Sequence, residues 1–381
     1  MLITREPKRI SEDFTALSEA IHTAHPRYKV VLLQHRKLRP SYAVHALQEM
    51  YHLATCQACL VDGYIIPVSV LSHRPGLPVG QIWHALGAVK KFGHATSGMA
   101  EGTDPTVAAV MQMHQNYTFI TASGDVPAEI YGEAFGVDRT KIEPLGMPRV
   151  DSILNPAVRE RRRRAVLRAF PQLAEGKVVL YAPTFRRGHQ VHYHQLCEAF
   201  PHGENHLVVL PHPSDRSALP QEAPMIIGDS FGPLDWLSVA DVVITDYSAI
   251  TYEAVLHDIP LVFWPYDLDL YEEARGLALD YAAEMPGPVV TSAERAVSEA
   301  ISASEVDYRA FRARHLNYIT DDEGNLPETP PRCTQRIVER LNLTEESPSH
   351  SRSDTIHAPQ NHPRELNEAV DHCPQGHHHS G

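Results

Sequence analysis

The chain has 381 residues, 43% of them hydrophobic, with 47 acidic against 34 basic side chains and a formal net charge of −13. That length and apolar content bury a large core and suit two domains, while the negative balance disfavours a protein that coats nucleic acid through its phosphates. No apolar run approaches the ~20 residues of a membrane-spanning helix, and the opening MLITREPKRI lacks the apolar core of a signal peptide, so the expectation is a soluble cytoplasmic protein.

Taken in chain order, short apolar strands are predicted at residues 30–33, 59–61, 65–70, 80–83 and 117–121, with helical patterns at 43–55 and 127–135 between them. Around 144–151 this alternation dissolves into the turn formers of PLGMPRVD, which reads as a hinge. A charged helix over 156–170 follows. A second block then predicts strands at 178–181, 206–210, 225–227, 242–245 and 260–264, with a helix at 249–257. Helical patterns at 310–317 and 334–343 close the globular part, and residues 344–381, polar and poor in aromatics, read as a disordered tail. The alternation gives an α/β protein of two Rossmann-like domains facing a cleft, divided at 1–150 and 151–343.

The segment ADVVITDYSAITYEAVLHDIPLVFWPYDLDLY (240–271) reads as strand, polar turn, helix, strand, the pattern of a βαβ unit. Ligands of open α/β sheets bind beyond the carboxyl ends of strands, where helix N-termini attract anions. Asp246, Tyr247 and Ser248 occupy that turn, so a phosphorylated, nucleotide-like ligand is expected there. His84 follows the strand GQIW and His212 follows HLVVL, each at a predicted strand end. A neutral imidazole there accepts a proton from an attacking hydroxyl and an imidazolium steadies a phosphate; a histidine satisfied inside a loop is the alternative. Lys90, Lys91, Arg186, Arg187 and Arg216 put cations near these points, either for a diphosphate or as solvated loop charges.

Other signals are weaker. Neither the P-loop pattern nor G-x-G-x-x-G occurs, which argues against a P-loop kinase and a nicotinamide dehydrogenase. Asp267 and Asp269 form a lone D-x-D, little support for a metal, and no cofactor is expected; Mg²⁺ has no sequence support. Cys56 and Cys59 make one C-x-x-C without a second pair, so buried thiols are expected before zinc. The arginine run 161–164 lies on a predicted helix and suits either anionic lipid headgroups or a solvated face.

Together QIWHALGAVKKFG, VVLYAPTFRR, VLPHPSD and the 240–276 segment resemble, in order, the CDP-glycerol glycerophosphotransferase family of teichoic acid primases and polymerases and related capsule polymerases, over residues 30–281. The resemblance implies a GT-B fold with the donor bound by the C-terminal domain. It implies transfer of glycerol phosphate from CDP-glycerol to a hydroxyl of an undecaprenyl-diphosphate-linked saccharide, a teichoic acid or capsule precursor, releasing CMP. It also implies a primase-like protein at the anionic inner face of the cell membrane. By the same resemblance His84 is the general base and His212 steadies the diphosphate; Thr184, in the APT strand, and Arg186, after it, bind substrate, Asp246 and Ser248 form the donor turn, and Asp235 lines the nucleotide. Three departures stand out: WHALGAVKK where the family commonly has WHGTPLK, Ala249 in place of the second serine of DYSS, and Glu253, with a longer reach to the same ribose or helix contacts, where an aspartate is frequent. The alternatives are CDP-ribitol as donor, a GT-B sugar-nucleotide enzyme, and a non-catalytic envelope assembly factor.

Overall fold

The computed structural model describes residues 1–4, 10–34, 41–187, 190–201, 203–212, 215, 217, 219 and 225–343; Arg216 and the tail expected at 344–381 lie outside the described residues. Two parallel sheets organise the chain. The first contains β1 (Leu2–Thr4), β2 (Leu32–Gln34), β3 (Cys59–Val61), β4 (Val79–Gln81), β5 (Phe119–Thr121) and β6 (Ile142–Glu143), ordered β2-β1-β3-β4-β5-β6. The second contains β7 (Val178–Ala182), β8 (His206–Val209), β9 (Met225–Ile227), β10 (Val242–Thr245) and β11 (Leu261–Phe263), ordered β11-β10-β7-β8-β9. All five residues of β7 and all four of β10 are buried. Helices on both faces of a parallel sheet explain why these strands read as unbroken apolar runs.

One expected element is corrected. Residues 65–70, read as a strand, form the helix Ile66–Val70. Pro67 lies in its first turn, where a missing N–H costs nothing, whereas in a ladder it would remove a bond. Strands β1 and β6, three and two residues long, are additional to those predicted.

Chain crossings tie the two sheets together. Leu86 and Val89, from the loop after β4, are buried in the core built around β7 and β10, beside Met147, Val150 and Ile153. In return the helix Cys333–Arg340 buries Ile337 and Val338 against Phe14 and Leu17 of the helix Glu12–Ala24 and Phe119 of β5, and Arg340 pairs with Glu143 at 2.7 Å. Among the described residues no helix is long and apolar enough to cross a membrane.

Candidate active site at the strand ends

β10 delivers Asp246 to the carboxyl edge of the second sheet, where it is buried. Its Oδ1 accepts from the backbone N–H of Thr184 (2.8 Å) and of Tyr247 (2.6 Å), and its Oδ2 from Arg186 Nη1 (2.8 Å). Arg186 also grips Asp267 through Nε (2.6 Å) and Nη2 (2.9 Å), donates to the Thr184 carbonyl (2.8 Å) and lies 4.4 Å over the Tyr266 ring. The Tyr247 hydroxyl adds a bond to Asp267 (3.0 Å), and that of Tyr281 donates to the Asp246 carbonyl (2.9 Å). One guanidinium fork thus joins the loops after β7, β10 and β11, a geometry for which arginine's fixed donors are suited. Burial works against the Arg186 charge, but Asp246 and Asp267 raise its pKa further still. Burial likewise opposes ionisation of Asp267, and Arg186 outweighs it, holding that carboxyl below its ordinary value.

Beside this cluster, the buried Thr184 hydroxyl has no hydrogen-bond partner among the described residues. Ser248 is half-buried; its Oγ accepts from the Ile250 N–H (3.4 Å), and the helix that follows, Ile250–Val255, is shorter than the 249–257 expected.

His84 enters from the first domain. Trp83, immediately before it, has φ 55°, a left-handed conformation that is strained for a bulky side chain. It is held by stacking on Phe92 (centroids 4.5 Å apart) and by its N–H bond to Gln81 Oε1 (2.9 Å). The result presents an exposed His84 whose Nδ1 meets the Asp62 carbonyl at 3.2 Å. A carbonyl only accepts, so Nδ1 carries the proton and Nε2 is the basic nitrogen.

The loop after His84 then docks on the second domain. Lys90 bridges Leu277 in antiparallel fashion, the Lys91 N–H donates to the Gly276 carbonyl (3.0 Å), and the Ala278 N–H donates to the Val89 carbonyl (2.9 Å). Gly276 has φ +82°, a left-handed conformation that favours glycine. Arg275 donates to the Lys91 carbonyl (3.2 Å) and pairs with Glu101 (3.3 Å). Burial first, then Arg275 and Arg186, push the Lys90 ammonium down to about 8, against the pull of Asp246 and Glu101. His212 stacks on Phe185 (5.4 Å); burial and then Lys90 lower its pKa, with Asp215 opposing. Lys90, Thr184, Arg186, Asp246 and His212 therefore share one electrostatic neighbourhood.

A lysine near 8 loses its charge within an ordinary assay range. Where Lys90 serves as a cation in this site, kcat/KM is expected to fall on the alkaline side as pH rises through about 8. Lys90→Arg, which stays charged, should move that alkaline limb upward in a pH series, and an unmoved limb would exclude Lys90 as its source.

Other expected site residues are placed elsewhere. Asp235 caps the helix Pro233–Leu237 by accepting from the Gly232 N–H (3.0 Å) and lies 3.9 Å from Arg162. Glu253 is buried against Arg149 (3.2 Å), which also binds Asp13 at 2.5 and 2.9 Å, an ion cluster joining the two sheets' helices. Burial raises the Glu253 pKa and Arg149 opposes it. In the D-x-D, Asp267 is occupied by Arg186 and Asp269 is exposed; among the described residues no group of three or more His, Cys, Asp or Glu could hold a metal. The arginine run is divided: Arg162 pairs with Glu12 (2.7 Å) and Arg164 with Glu160 (3.3 Å), while Arg161 is exposed. Sequence reasoning missed Trp83, Tyr281 and the pairing of Arg149, and gave Tyr247 no role beyond its place in the turn. Tyr247 lies inside the recognised turn, but Tyr281 and Arg149 act across 35 and 136 positions and leave no local spacing.

Two Rossmann-like sheets with the site at their carboxyl edges define a protein of GT-B architecture. The sequence pattern described as CDP-Glycerol:Poly(glycerophosphate) glycerophosphotransferase matches residues 1–339, and the chain belongs to that family. The teichoic acid ribitol-phosphate primase of Bacillus spizizenii is 31% identical over 345 residues, 84% of this chain and 86% of that protein. The teichoic acid glycerol-phosphate primase of Bacillus subtilis is 27% identical over 299 residues, 75% of this chain and 74% of that protein. The wall teichoic acid polymerase TagF superposes with a TM-score of 0.69 at 18% identity, covering 90% of this chain and 88% of that one. The UDP-GlcNAc 2-epimerase of Methanocaldococcus jannaschii, at TM-score 0.53 and 12% identity over 90% and 98% of the two chains, shares the fold alone.

Proposed function

We propose that this protein transfers a polyol phosphate, glycerol phosphate in the first reading, from its CDP-alcohol to a hydroxyl of a lipid-linked teichoic acid precursor in a primase-like step, releasing CMP. The observation that carries the reading is the docking of the His84 loop, with Lys90, onto the second domain beside Asp246 and Arg186. The acceptor hydroxyl attacks the β-phosphorus and gives its proton to His84 Nε2. A new P–O bond forms, the bond to the CMP oxygen breaks, and CMP leaves with that electron pair. Lys90 and His212 would steady the charge that grows on the leaving oxygen, and the buried Thr184 hydroxyl, unpartnered among the described residues, is a donor for a phosphate oxygen. Positioning and electrostatics carry most of such a transfer, so no covalent intermediate is needed.

A ribitol donor is the second reading, favoured by the 31% identity over 345 residues to a ribitol-phosphate primase, against 27% over 299 residues for a glycerol-phosphate one. CMP release from CDP-glycerol and CDP-ribitol, each with a synthetic lipid-linked disaccharide, separates the two. Acceptor-dependent CMP from one donor names it; none from either, with folded protein, would turn the assignment toward a sugar-nucleotide enzyme or a binding protein.

A lipid-linked acceptor calls for a protein seated at the inner face of the cell membrane. The helix Ser41–Thr55 suits that seat better than the divided arginine run, because it exposes Val44 (59%), Leu47 (63%), Met50 (41%) and Tyr51 (66%) at spacings that share a helix face. Val44→Glu with Leu47→Glu is expected to weaken binding to phosphatidylglycerol vesicles by about tenfold or more. CMP release with a short-chain soluble acceptor should stay at the wild-type rate. Unchanged vesicle binding would remove this helix from the membrane seat.

A further inference from the structure

Three side chains behind the His84 loop form a chain of hydrogen bonds that phosphoryl transfer does not use. Tyr252, one turn after Ser248, is fully buried, and its hydroxyl meets His315 Nδ1 at 3.2 Å. His315, also fully buried, meets the Glu284 carboxylate through Nε2 at 2.9 Å and stacks on Phe311 with centroids 4.0 Å apart. The direction of each bond follows from the chemistry. A carboxylate only accepts, so Nε2 carries the imidazole proton; Nδ1 then accepts, and the Tyr252 hydroxyl donates. The phenol oxygen keeps acceptor capacity, and the backbone amide of Ala88 acts on it from the His84 loop.

Contacts at both ends make this chain a spacer between the two domains. An added Cβ at Gly87 would lie 2.2 Å from Tyr252 Cζ and 2.6 Å from its hydroxyl, so the loop rests directly on the ring. The His315 carbonyl closes on the first domain: a Cβ at Gly124 would lie 2.3 Å from it. Glu284 shares the helix Tyr281–Glu284 with Tyr281, which holds the Asp246 carbonyl at 2.9 Å. The same short helix therefore anchors the donor turn at one end and the chain beneath the acceptor loop at the other.

We infer that Glu284, His315 and Tyr252 are positioning residues that fix the 84–91 loop over the Asp246–Ser248 turn, so that His84 and the donor phosphates keep one separation. This inference rests on the phosphoryl-transfer reading for its consequence in turnover, but not for its structural content. It requires a neutral His315. A second ring proton would place an N–H on Nδ1 against the Tyr252 O–H and force the phenol to turn. The charged and titratable groups facing the ring are Glu284, Tyr252 and, from its own helix, Arg314. Burial, the largest influence, lowers the His315 pKa, and Glu284 opposes it without reversing the direction. Since the folded value lies below the ordinary 6.5, loop order is kept at and above that pH and lost as pH falls through the lowered value.

Hydrogen exchange on the full chain tests the inference through Tyr252→Phe, which keeps the ring under Gly87, and through His315→Phe against His315→Gln. Phenylalanine keeps the stack and loses both bonds, whereas glutamine offers an oxygen to Tyr252 and an N–H to Glu284. Amides 85–91 are expected to exchange about tenfold faster in Tyr252→Phe and His315→Phe and near the wild-type rate in His315→Gln, with β10 unchanged. CMP release should show kcat down about tenfold in the first two variants, with donor Kd within about threefold of wild type. Unchanged exchange at 85–91 in Tyr252→Phe, or faster exchange everywhere, would overturn the inference. A wild-type protein that releases no CMP would instead sink the functional reading while leaving the exchange result to decide this one. Should His315→Phe fail to fold, Tyr252→Phe carries the test alone.

Discussion

Replacement of His84 by alanine is expected to lower turnover by ~10²–10⁴ while CDP-alcohol affinity stays within about threefold of wild type. The asymmetry comes from where the side chain stands. The imidazole is fixed by groups of the first domain, the Asp62 carbonyl at Nδ1 and the Trp83 ring 4.1 Å away, whereas the cluster around Asp246 belongs to the second. Removing it takes away a proton acceptor without touching the donor's neighbours. His84→Gln separates geometry from basicity: it keeps a hydrogen-bonding amide but has no basic nitrogen, and should be as slow as alanine. His212→Ala should behave differently, raising the donor Kd together with lowering kcat, because His212 stands in the electrostatic field of Lys90 on the donor side. Calorimetric donor titration combined with single-turnover CMP release reads both quantities. Full turnover in His84→Ala would end its assignment as base.

How much of this was legible in the sequence depended on the range of the interaction. Strands β3 and β10 coincide with the residues predicted for them, since buried parallel strands write uninterrupted apolar runs into the chain. Residues 65–70 show the limit of that rule, because an apolar run of six positions does not distinguish strand from helix, and Pro67 was the overlooked arbiter. In the site, a strand end followed by a polar residue marked Asp246, Ser248 and the two histidines, each a local pattern. What the patterns could not show is occupancy. Arg186 reads as a phosphate ligand beside its strand, yet its donors meet Asp246 and Asp267, 60 and 81 positions away. Glu253 reads as a donor contact, yet its partner is Arg149, 104 positions earlier. A carboxylate and a guanidinium each advertise a charge, and only the tertiary fold decides which partner neutralises it.

That occupancy predicts the largest stability effect in the molecule. Arg186→Met is expected to destabilise the fold by about 3–5 kcal/mol, because it strands the buried Asp246 and leaves Asp267 without its bidentate partner. Arg186→Lys should recover only part of this, since an ammonium cannot span both carboxylates with fixed, planar donors. Urea unfolding of wild type, Arg186→Met, Asp267→Asn and the double variant measures the coupling; a strongly non-additive cycle is expected, with Asp267→Asn costing much less in the Met background than in wild type. The pH dependence follows from the sign of the shift. The Asp267 carboxyl titrates below its ordinary value in the folded state, so its contribution is present above that ordinary value and lost as pH falls through the depressed one. The stability gap between wild type and Arg186→Met should therefore be widest near neutrality and narrow on acidification. A gap that is small at pH 7, or that widens toward acid, would mean that the fork is not what holds the three loops together, and that Arg186 is available to the donor phosphates instead.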